Sequence, residues 1–300
     1  MFLNIKKRKK IVAGVLAVTL ISLLVSVICC KPVESVVQLQ RNLLLLYGFK
    51  EKKLKTNSGY LNYFEGGKGQ TMILVHGYIA EAGNWFSVAP ELMKRYNLVI
   101  PDMPGHGDSD PLTDKLSPVD LIDGIMKLIV EKSENEKVIL VGHSLGGWIS
   151  VLATLKTDGR VSALILENSA GLKTDMPERL LLPKDVDSAK ELLHVLFGKE
   201  APELPDFMYK EIIRYVAQKR FINLYQGITD DYFLDRKLKN ISIPVYLIWG
   251  GEDNMFNKDY ALRFKKALRK GKLFILEGTG HCMHCTKPSL FIEKLLAIGI

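Results

Sequence analysis

The segment that most constrains the fold is a glycine-flanked serine placed between an apolar run and a helical pattern. The β-branched run Val138–Val141 leads directly into Gly142-His143-Ser144-Leu145-Gly146. A G-x-S-x-G pattern between a strand and a helix is typical of a sharp elbow that exposes the serine hydroxyl. Side chains at the two glycine positions would collide across so tight a turn. The first amides of the helix would offer free N–H groups and a positive dipole end to a developing oxyanion.

Apolar strands and amphipathic helices alternate along most of the chain. A β-hairpin is predicted first, from the alternating segments Phe49–Lys55 and Tyr60–Phe64 on either side of a turn. Further strands and helices then follow one another: Thr71–Val75, Ala82–Arg95, Asn97–Pro101, Pro118–Lys132, Val138–Val141, Leu145–Lys156 and Val161–Leu166. This order predicts an α/β fold with a mostly parallel, doubly wound sheet and helices on both faces.

The alternation is interrupted between residues 172 and 240, where no buried-strand pattern occurs. Helical patterns at Ser188–Phe197 and Asp206–Asn223 predict an inserted helical cap there. The sheet resumes with these elements: strand Pro244–Trp249, helix Lys258–Lys270, strand Lys272–Leu276 and a last helix from Pro288. The predicted organisation is a basic N-terminus with a transmembrane anchor at 1–31, a linker at 32–48, a core at 49–171 and 241–300, and a cap at 172–240.

An apolar segment near the N-terminus predicts a membrane anchor. Ile11–Cys30 is 20 residues long without a charge, which at helical rise spans roughly 30 Å, the thickness of a hydrocarbon core. The residues at the end of this segment match a signal-peptide cleavage site poorly, so an uncleaved signal anchor is favoured over a cleaved signal peptide. The basic block Lys6–Lys10 predicts a single-pass membrane protein with a cytoplasmic N-terminus and the catalytic domain on the far side. Residues 32–47 would form a linker or a short helix lying on the membrane.

The net charge of +8 does not indicate a nucleic-acid partner. Much of the basic excess flanks the apolar segment, which favours an anionic membrane surface, and no nucleic-acid motif occurs. The cysteines form two close pairs, Cys29-Cys30 and Cys282 with Cys285. Neither pair resembles the disulfide framework of a small secreted domain, so the cysteines do not define the compartment.

Candidates for the base that activates Ser144, and for the acid that orients this base, lie after later strands. A serine hydroxyl needs a base and a group that orients the base, and functional groups collect beyond the carboxyl ends of parallel strands. Asp253 follows the strand that ends at Trp249, with Glu252 and Asp259 as competing carboxylates, and His281 follows the strand that ends at Leu276. The order serine, acid, histidine fits this architecture.

With these residues in place, the chain resembles the α/β-hydrolases over residues 49–300. The resemblance rests on His76-Gly77, the segment from Asp102 to Ser109, the serine elbow, Trp249-Gly-Gly-Glu-Asp253 and Gly280-His281. It implies Ser144 as nucleophile, His281 as general base, Asp253 as orienting acid, and the backbone N–H groups of Tyr78 and Leu145 as the oxyanion hole. The layout of an anchor followed by a hydrolase domain, and the segment Asn168-Ser-Ala-Gly-Leu172 that opens the cap, look similar to membrane-anchored monoacylglycerol lipases and related bacterial lipases.

The cluster His281-Cys282-Met283-His284-Cys285 contains the ligand types of a zinc site. No second ligand pair stands at a recognisable spacing, and His281 cannot both bind a metal and serve as the base. We therefore expect no metal and no cofactor, and we expect His284 to be structural, as the resemblance implies.

These observations favour a serine hydrolase that cleaves carboxylic esters, with a lipid ester such as a monoacylglycerol as substrate. Carbon–carbon bond hydrolases, acyltransferases and cofactor-free peroxidases of this fold also keep the serine and stay open as alternatives. A non-catalytic binding protein on the same scaffold is the third class. The oligomeric state does not follow from the sequence.

Overall fold

A computed structural model describes residues 32–175 and 177–300. Eight strands form one sheet in the order β1-β2-β4-β3-β5-β6-β7-β8. The strands are β1 Lys50–Thr56, β2 Gly59–Gly67, β3 Thr71–Val75, β4 Asn97–Pro101, β5 Val138–His143, β6 Val161–Glu167, β7 Val245–Gly250 and β8 Gly271–Leu276. The β1–β2 and β2–β4 pairs are antiparallel, and all other pairs are parallel. The predicted hairpin and the mostly parallel sheet are confirmed.

The central strands are buried on both faces, which explains why they read as continuous apolar runs. In β3, Ile73 and Val75 pack into the hydrophobic cluster on one side of the sheet, and Met72 and Leu74 pack into the cluster on the other side. Side chains alternate across a strand, so only an apolar residue at every position suits both clusters. The sheet is thus a rigid support for the loops at its edge.

The α-helices within the core domain are Ala89–Leu92, Pro118–Lys132, Leu145–Lys156, Lys258–Ala267, Met283–Thr286 and Pro288–Ala297. One prediction is wrong here: Ala82–Arg95 is not a single helix but a 3₁₀ turn, Ala82–Ser87, followed by the short helix Ala89–Leu92. Pro90 has no N–H to donate to the preceding turn, so it starts a new helix instead of continuing the old one.

Between β6 and β7 the described residues form only helices and loops. The longer elements are Val186–Phe197, Asp206–Val216 and Lys219–Gln226. The predicted single helix Asp206–Asn223 is therefore two helices that meet at Ala217 and Gln218. We refer to residues 172–240 as the cap.

The prediction of a single-pass membrane location is wrong, because the helices that the structure describes do not support it. Within residues 32–175 and 177–300, no helix is both long enough and apolar enough to cross a bilayer. The predicted anchor at residues 11–30 itself lies outside the described residues.

The segment predicted as a linker or surface helix forms an α-helix, Pro32–Leu46, that packs on the domain. We call it the N-terminal helix. Its Arg41 is only 4% exposed. The guanidinium contacts four carboxylates: Asp102 at 2.7 Å, Asp108 at 2.6 Å, Glu51 at 2.8 Å and Glu81 at 3.5 Å. Burial alone would lower the pKa of Arg41, but the charge and hydrogen bond of Asp102, together with the charges of Glu81 and Asp108, outweigh burial and raise it.

Exchange of Arg41 for glutamine is expected to destabilise the protein by about 3–5 kcal/mol, because it leaves the fully buried Asp102 without its cation. Urea unfolding measures the effect. Arg179→Gln is the matched control, since Arg179 and its partner Glu191 are 59% and 41% exposed and such pairs contribute little. Equal stability of the two variants would contradict a structural role for the Arg41 cluster.

Candidate active site

Ser144 lies at a strained bend between β5 and the helix Leu145–Lys156. Its φ of 52° and ψ of −119° fall outside the usual regions for a residue with a side chain. Gly142 and Gly146 make the bend possible: a Cβ on Gly142 would lie 2.5 Å from Gly147 Cα, and one on Gly146 would lie 2.2 Å from the His76 carbonyl oxygen. The predicted elbow is therefore present, and the steric reason given for its glycines is confirmed.

The backbone around Tyr78 runs directly against the serine. A Cβ on Gly77 would lie 3.4 Å from Ser144 Cβ, and Tyr78 and Ser144 line the same cavities. Leu145 is the first residue of its helix, where backbone N–H groups have no acceptor within the helix. The two residues predicted for the oxyanion hole thus flank Ser144, and their role stays a prediction.

His281 and Asp253 are in direct contact in the buried floor of the site. His281 Nδ1 lies 2.9 Å from Asp253 Oδ2. The other oxygen of Asp253 accepts hydrogen bonds from the amides of Met255 at 2.7 Å and Phe256 at 3.0 Å. His281 Nε2 is buried and has no hydrogen-bond partner among the described residues. Since Nδ1 donates to the carboxylate, the acceptor of the neutral ring is Nε2, and His281 lines a cavity that Ser144 also lines.

Asn168 is a positioning residue that the sequence patterns did not reveal. It follows β6 with a φ of 43°. Its Nδ2 donates to the carbonyl oxygens of Gly280 at 2.9 Å and His281 at 2.6 Å, and its Oδ1 accepts from the Gly250 amide at 2.8 Å. One side chain thereby joins three strand ends. The only hint in the sequence is that an asparagine tolerates a positive φ after a strand.

His284 is held in a second buried cluster behind His281. Its Nδ1 lies 2.7 Å from Glu167 Oε2, its Nε2 lies 2.7 Å from Asn84 Oδ1, and its amide donates to Glu167 Oε1 at 2.9 Å. These bonds give His284 the structural position that the resemblance implied.

The possible zinc ligands are engaged in other bonds. His143, Cys282 and His284 bring donor atoms within 4.8 Å of one another. However, Cys282 forms a disulfide with Cys285, and both ring nitrogens of His284 are hydrogen-bonded. The arrangement offers one free nitrogen, His143 Nδ1, which is too few for a metal site. The sequence did not predict this disulfide.

Burial favours the neutral form of two further histidines near the serine, His76 and His143. Burial lowers the pKa of His76 to about 4, although the hydrogen bond to the Gly77 carbonyl opposes the shift. His76 Nε2 accepts from the Met103 amide at 2.9 Å, so His76 braces the loop. Burial also lowers the pKa of His143, whose Nε2 lies 3.0 Å from the His281 carbonyl oxygen. These two neutral rings add no positive charge that would oppose proton uptake by a nearby base.

Glu81 is expected to make stability depend on pH. Burial raises its pKa from 4.5 to about 8, the charge of Asp102 adds to the shift, and Arg41 opposes it. Above about pH 4.5 the unfolded chain therefore releases a proton that the folded chain keeps, so wild-type stability falls as the pH rises towards 8. Glu81→Gln removes this loss.

Urea unfolding at several pH values tests this. From pH 5 to pH 8, the stability of Glu81→Gln relative to wild type should rise by roughly 2–4 kcal/mol. Glu252→Gln, at an exposed position, should show no such trend. A constant difference between Glu81→Gln and wild type across this range would disprove the raised pKa.

Two cavities meet at Ser144. The first has a volume of about 340 Å³ and the second of about 380 Å³. His281 lines the first cavity, Leu145 lines the second, and Ser144 and Tyr78 line both. Lys and Arg side chains are absent from the described lining of both cavities, and most of the lining side chains are apolar.

Two relatives illustrate what this chain is similar to in sequence. It is 27% identical to the uncharacterized hydrolase YugF of Bacillus subtilis (strain 168), over 79% of this chain and 92% of the relative. It is 26% identical to the 2-hydroxy-6-oxononadienedioate/2-hydroxy-6-oxononatrienedioate hydrolase of Escherichia coli (strain K12), over 79% of this chain and 89% of that protein. Both similarities extend over most of each protein.

The fold is also similar to that of a crystal structure described as a membrane phospholipase A, a bacterial virulence factor. The TM-score is 0.77 at 23% sequence identity, with 97% of each chain covered. Residues 72–292 match the Alpha/beta hydrolase family, and the eight-stranded sheet and serine elbow agree with that match. The chain belongs to the alpha/beta hydrolase family.

Proposed function

We propose that this hydrolase cleaves carboxylic esters, and lipid esters in particular, through a covalent acyl-enzyme on Ser144. The observation that carries the proposal is the free Nε2 of His281, backed by Asp253, in an apolar cavity that Ser144 also lines. The predicted monoacylglycerol substrate belongs to this class.

In the proposed mechanism His281 Nε2 accepts the proton of the Ser144 hydroxyl as its oxygen attacks the ester carbonyl. The amides of Tyr78 and Leu145 donate to the resulting oxyanion, and each such donor is worth about 3 kcal/mol in the transition state. His281 then gives the proton to the departing alcohol oxygen, which leaves the acyl group on Ser144. Water attacks this acyl group while His281 takes one of its protons. The bond between the acyl carbon and Ser144 Oγ then breaks, His281 returns the proton to Oγ, and the free acid is released.

A carbon–carbon bond hydrolase is the second candidate, because the Escherichia coli relative is named for a dienedioate substrate. A dicarboxylate needs cationic partners when it is buried. The described residues around the two cavities provide no Lys or Arg side chain. We therefore favour an uncharged ester.

A substrate panel tests the proposal. The purified chain is incubated with p-nitrophenyl butyrate and octanoate, a monoacylglycerol and a 2-hydroxy-6-oxodienoate, and is separately treated with a fluorophosphonate probe. We expect ester cleavage and labelling of the protein by the probe. Cleavage of the dienoate alone would support the second candidate, and absence of both labelling and ester cleavage would rule out the proposal.

A further inference from the structure

Glu167 lies between the segment of the chain that carries the nucleophile and the segment that carries the base. It is the last residue of β6, and in the parallel sheet it is paired with His143, the residue before Ser144. Its backbone oxygen accepts a hydrogen bond from the Ser144 amide at 3.0 Å. The backbone of Glu167 therefore fixes the serine elbow to the end of β6.

The side chain of Glu167 binds the segment that carries the base. One carboxylate oxygen accepts from the amide of His284 at 2.9 Å, and the other lies 2.7 Å from His284 Nδ1. Both side chains are fully buried, so water does not compete with these bonds. His284 follows His281 by three residues. The carboxylate thus holds both the backbone and the ring of a residue close to the base.

His284 is itself held on several sides, so that it transmits the position of Glu167 to the loop. Its Nε2 lies 2.7 Å from Asn84 Oδ1, and its ring stacks on Trp85 with 4.0 Å between the ring centroids. Its carbonyl oxygen accepts from the Ser87 hydroxyl at 2.7 Å. A shift of the loop relative to Glu167 would break buried hydrogen bonds, which is unfavourable.

We propose that Glu167 is a positioning residue that sets the distance between His281 Nε2 and the Ser144 hydroxyl. It acts through His284 rather than on the substrate. This inference rests on the proposed esterase function, in which the base and the nucleophile exchange a proton. Asp253 orients the ring of His281 through Nδ1, whereas Glu167 fixes the loop that carries this ring to the backbone of the nucleophile. A displacement of about 1 Å between reacting groups lowers a rate by roughly 100-fold.

Two exchanges of Glu167 separate its position from its charge. Glu167→Ala removes both bonds to His284, so kcat should fall by about 10- to 100-fold while KM changes by less than about threefold. Glu167→Gln keeps both bonds. Its oxygen accepts from the His284 amide, and its NH₂ group donates to Nδ1 once the ring carries its proton on Nε2, which then donates to Asn84 Oδ1. His284 transfers no proton in the proposed mechanism, so kcat of Glu167→Gln should stay within about threefold of wild type.

Asn62→Ala is the control for the loss of a buried polar side chain. Asn62 is fully buried, and its side chain bonds to Glu51 and Asp102. This variant should lose stability but keep kcat within about twofold of wild type. Hydrolysis of p-nitrophenyl butyrate gives kcat and KM, the rate of fluorophosphonate labelling reports on Ser144, and thermal unfolding reports on the fold. Loss of stability alone in Glu167→Ala, or an equal loss of kcat in Glu167→Ala and Glu167→Gln, overturns the positioning role.

A double-mutant cycle tests whether Glu167 acts through His284. His284→Ala should also lower kcat, and the double variant should lose no more than the larger of the two single losses. Additive losses would overturn the proposed route. If Glu167→Ala does not fold, Glu167→Asp replaces it with the same expected loss, because a carboxylate one methylene shorter cannot reach both groups of His284. A wild type that neither cleaves the ester nor reacts with the probe would instead reject the esterase function, and with it the basis of this inference.

Discussion

Ser144→Ala is expected to lower ester hydrolysis by about 10⁴- to 10⁶-fold, to the level supported by binding and oxyanion stabilisation alone. Fluorophosphonate labelling should disappear with it, because the probe reacts with the activated hydroxyl. The fold should persist, since alanine removes one oxygen and the tight contacts of Gly142 and Gly146 stay as they are. Initial rates, gel-based labelling and thermal unfolding measure these effects.

Ser162→Ala provides the control for Ser144→Ala. Ser162 is in β6, and its hydroxyl bonds to the Val138 carbonyl oxygen at the opposite end of the strand from the site. This variant should be labelled and should hydrolyse esters like wild type. Full labelling of Ser144→Ala would show that another residue is the nucleophile and would remove the basis of the proposed mechanism.

Asp253→Asn should lower kcat by about 10⁴-fold, because the new amide would shift the proton of His281 to the wrong ring nitrogen. The Oδ1 of Asp253 is held by the amides of Met255 and Phe256. An asparagine oxygen would take this place, so the NH₂ group would face His281 Nδ1. His281 would then carry its proton on Nε2 and could not accept the proton of Ser144.

Glu252→Gln is the matched control, because Glu252 is the neighbouring carboxylate and is exposed. Its kcat should stay within about twofold of wild type, since an exposed charge outside the site has little influence. Comparison of kcat with KM for both variants locates the effect: the loss in Asp253→Asn should lie in kcat. A large loss of kcat in Glu252→Gln and none in Asp253→Asn would show that Asp253 is not the orienting acid.

The sequence was enough to predict those elements whose structure depends on residues that are close together in the chain. The strands β3 to β8 could be predicted because their apolar residues are adjacent in the chain, and the elbow because its glycines are next to Ser144. The proximity of Asp253 and His281 could be predicted because parallel strands bring their carboxyl ends to one edge of a sheet. Their hydrogen bond joins residues 28 positions apart.

Contacts between distant segments could not be predicted in this way. The Arg41–Asp102 bond spans 61 residues, and no local pattern assigns a partner to a lone arginine in an amphipathic helix. The same holds for Asn168, whose bonds span up to 113 residues. The break in the cap between Val216 and Lys219 was missed because the helical periodicity continues across it, and tertiary packing overrides such patterns.

The N-terminal helix has a consequence for what counts as the catalytic unit of this protein. The family match begins at residue 72, yet Val33 and Val37 line the cavity beside Ser144. A shortened form that starts at the family boundary would lack a wall of this cavity, together with Arg41 and the strands β1 and β2. The part of the chain that matches the family and the part that encloses the candidate site therefore have different boundaries.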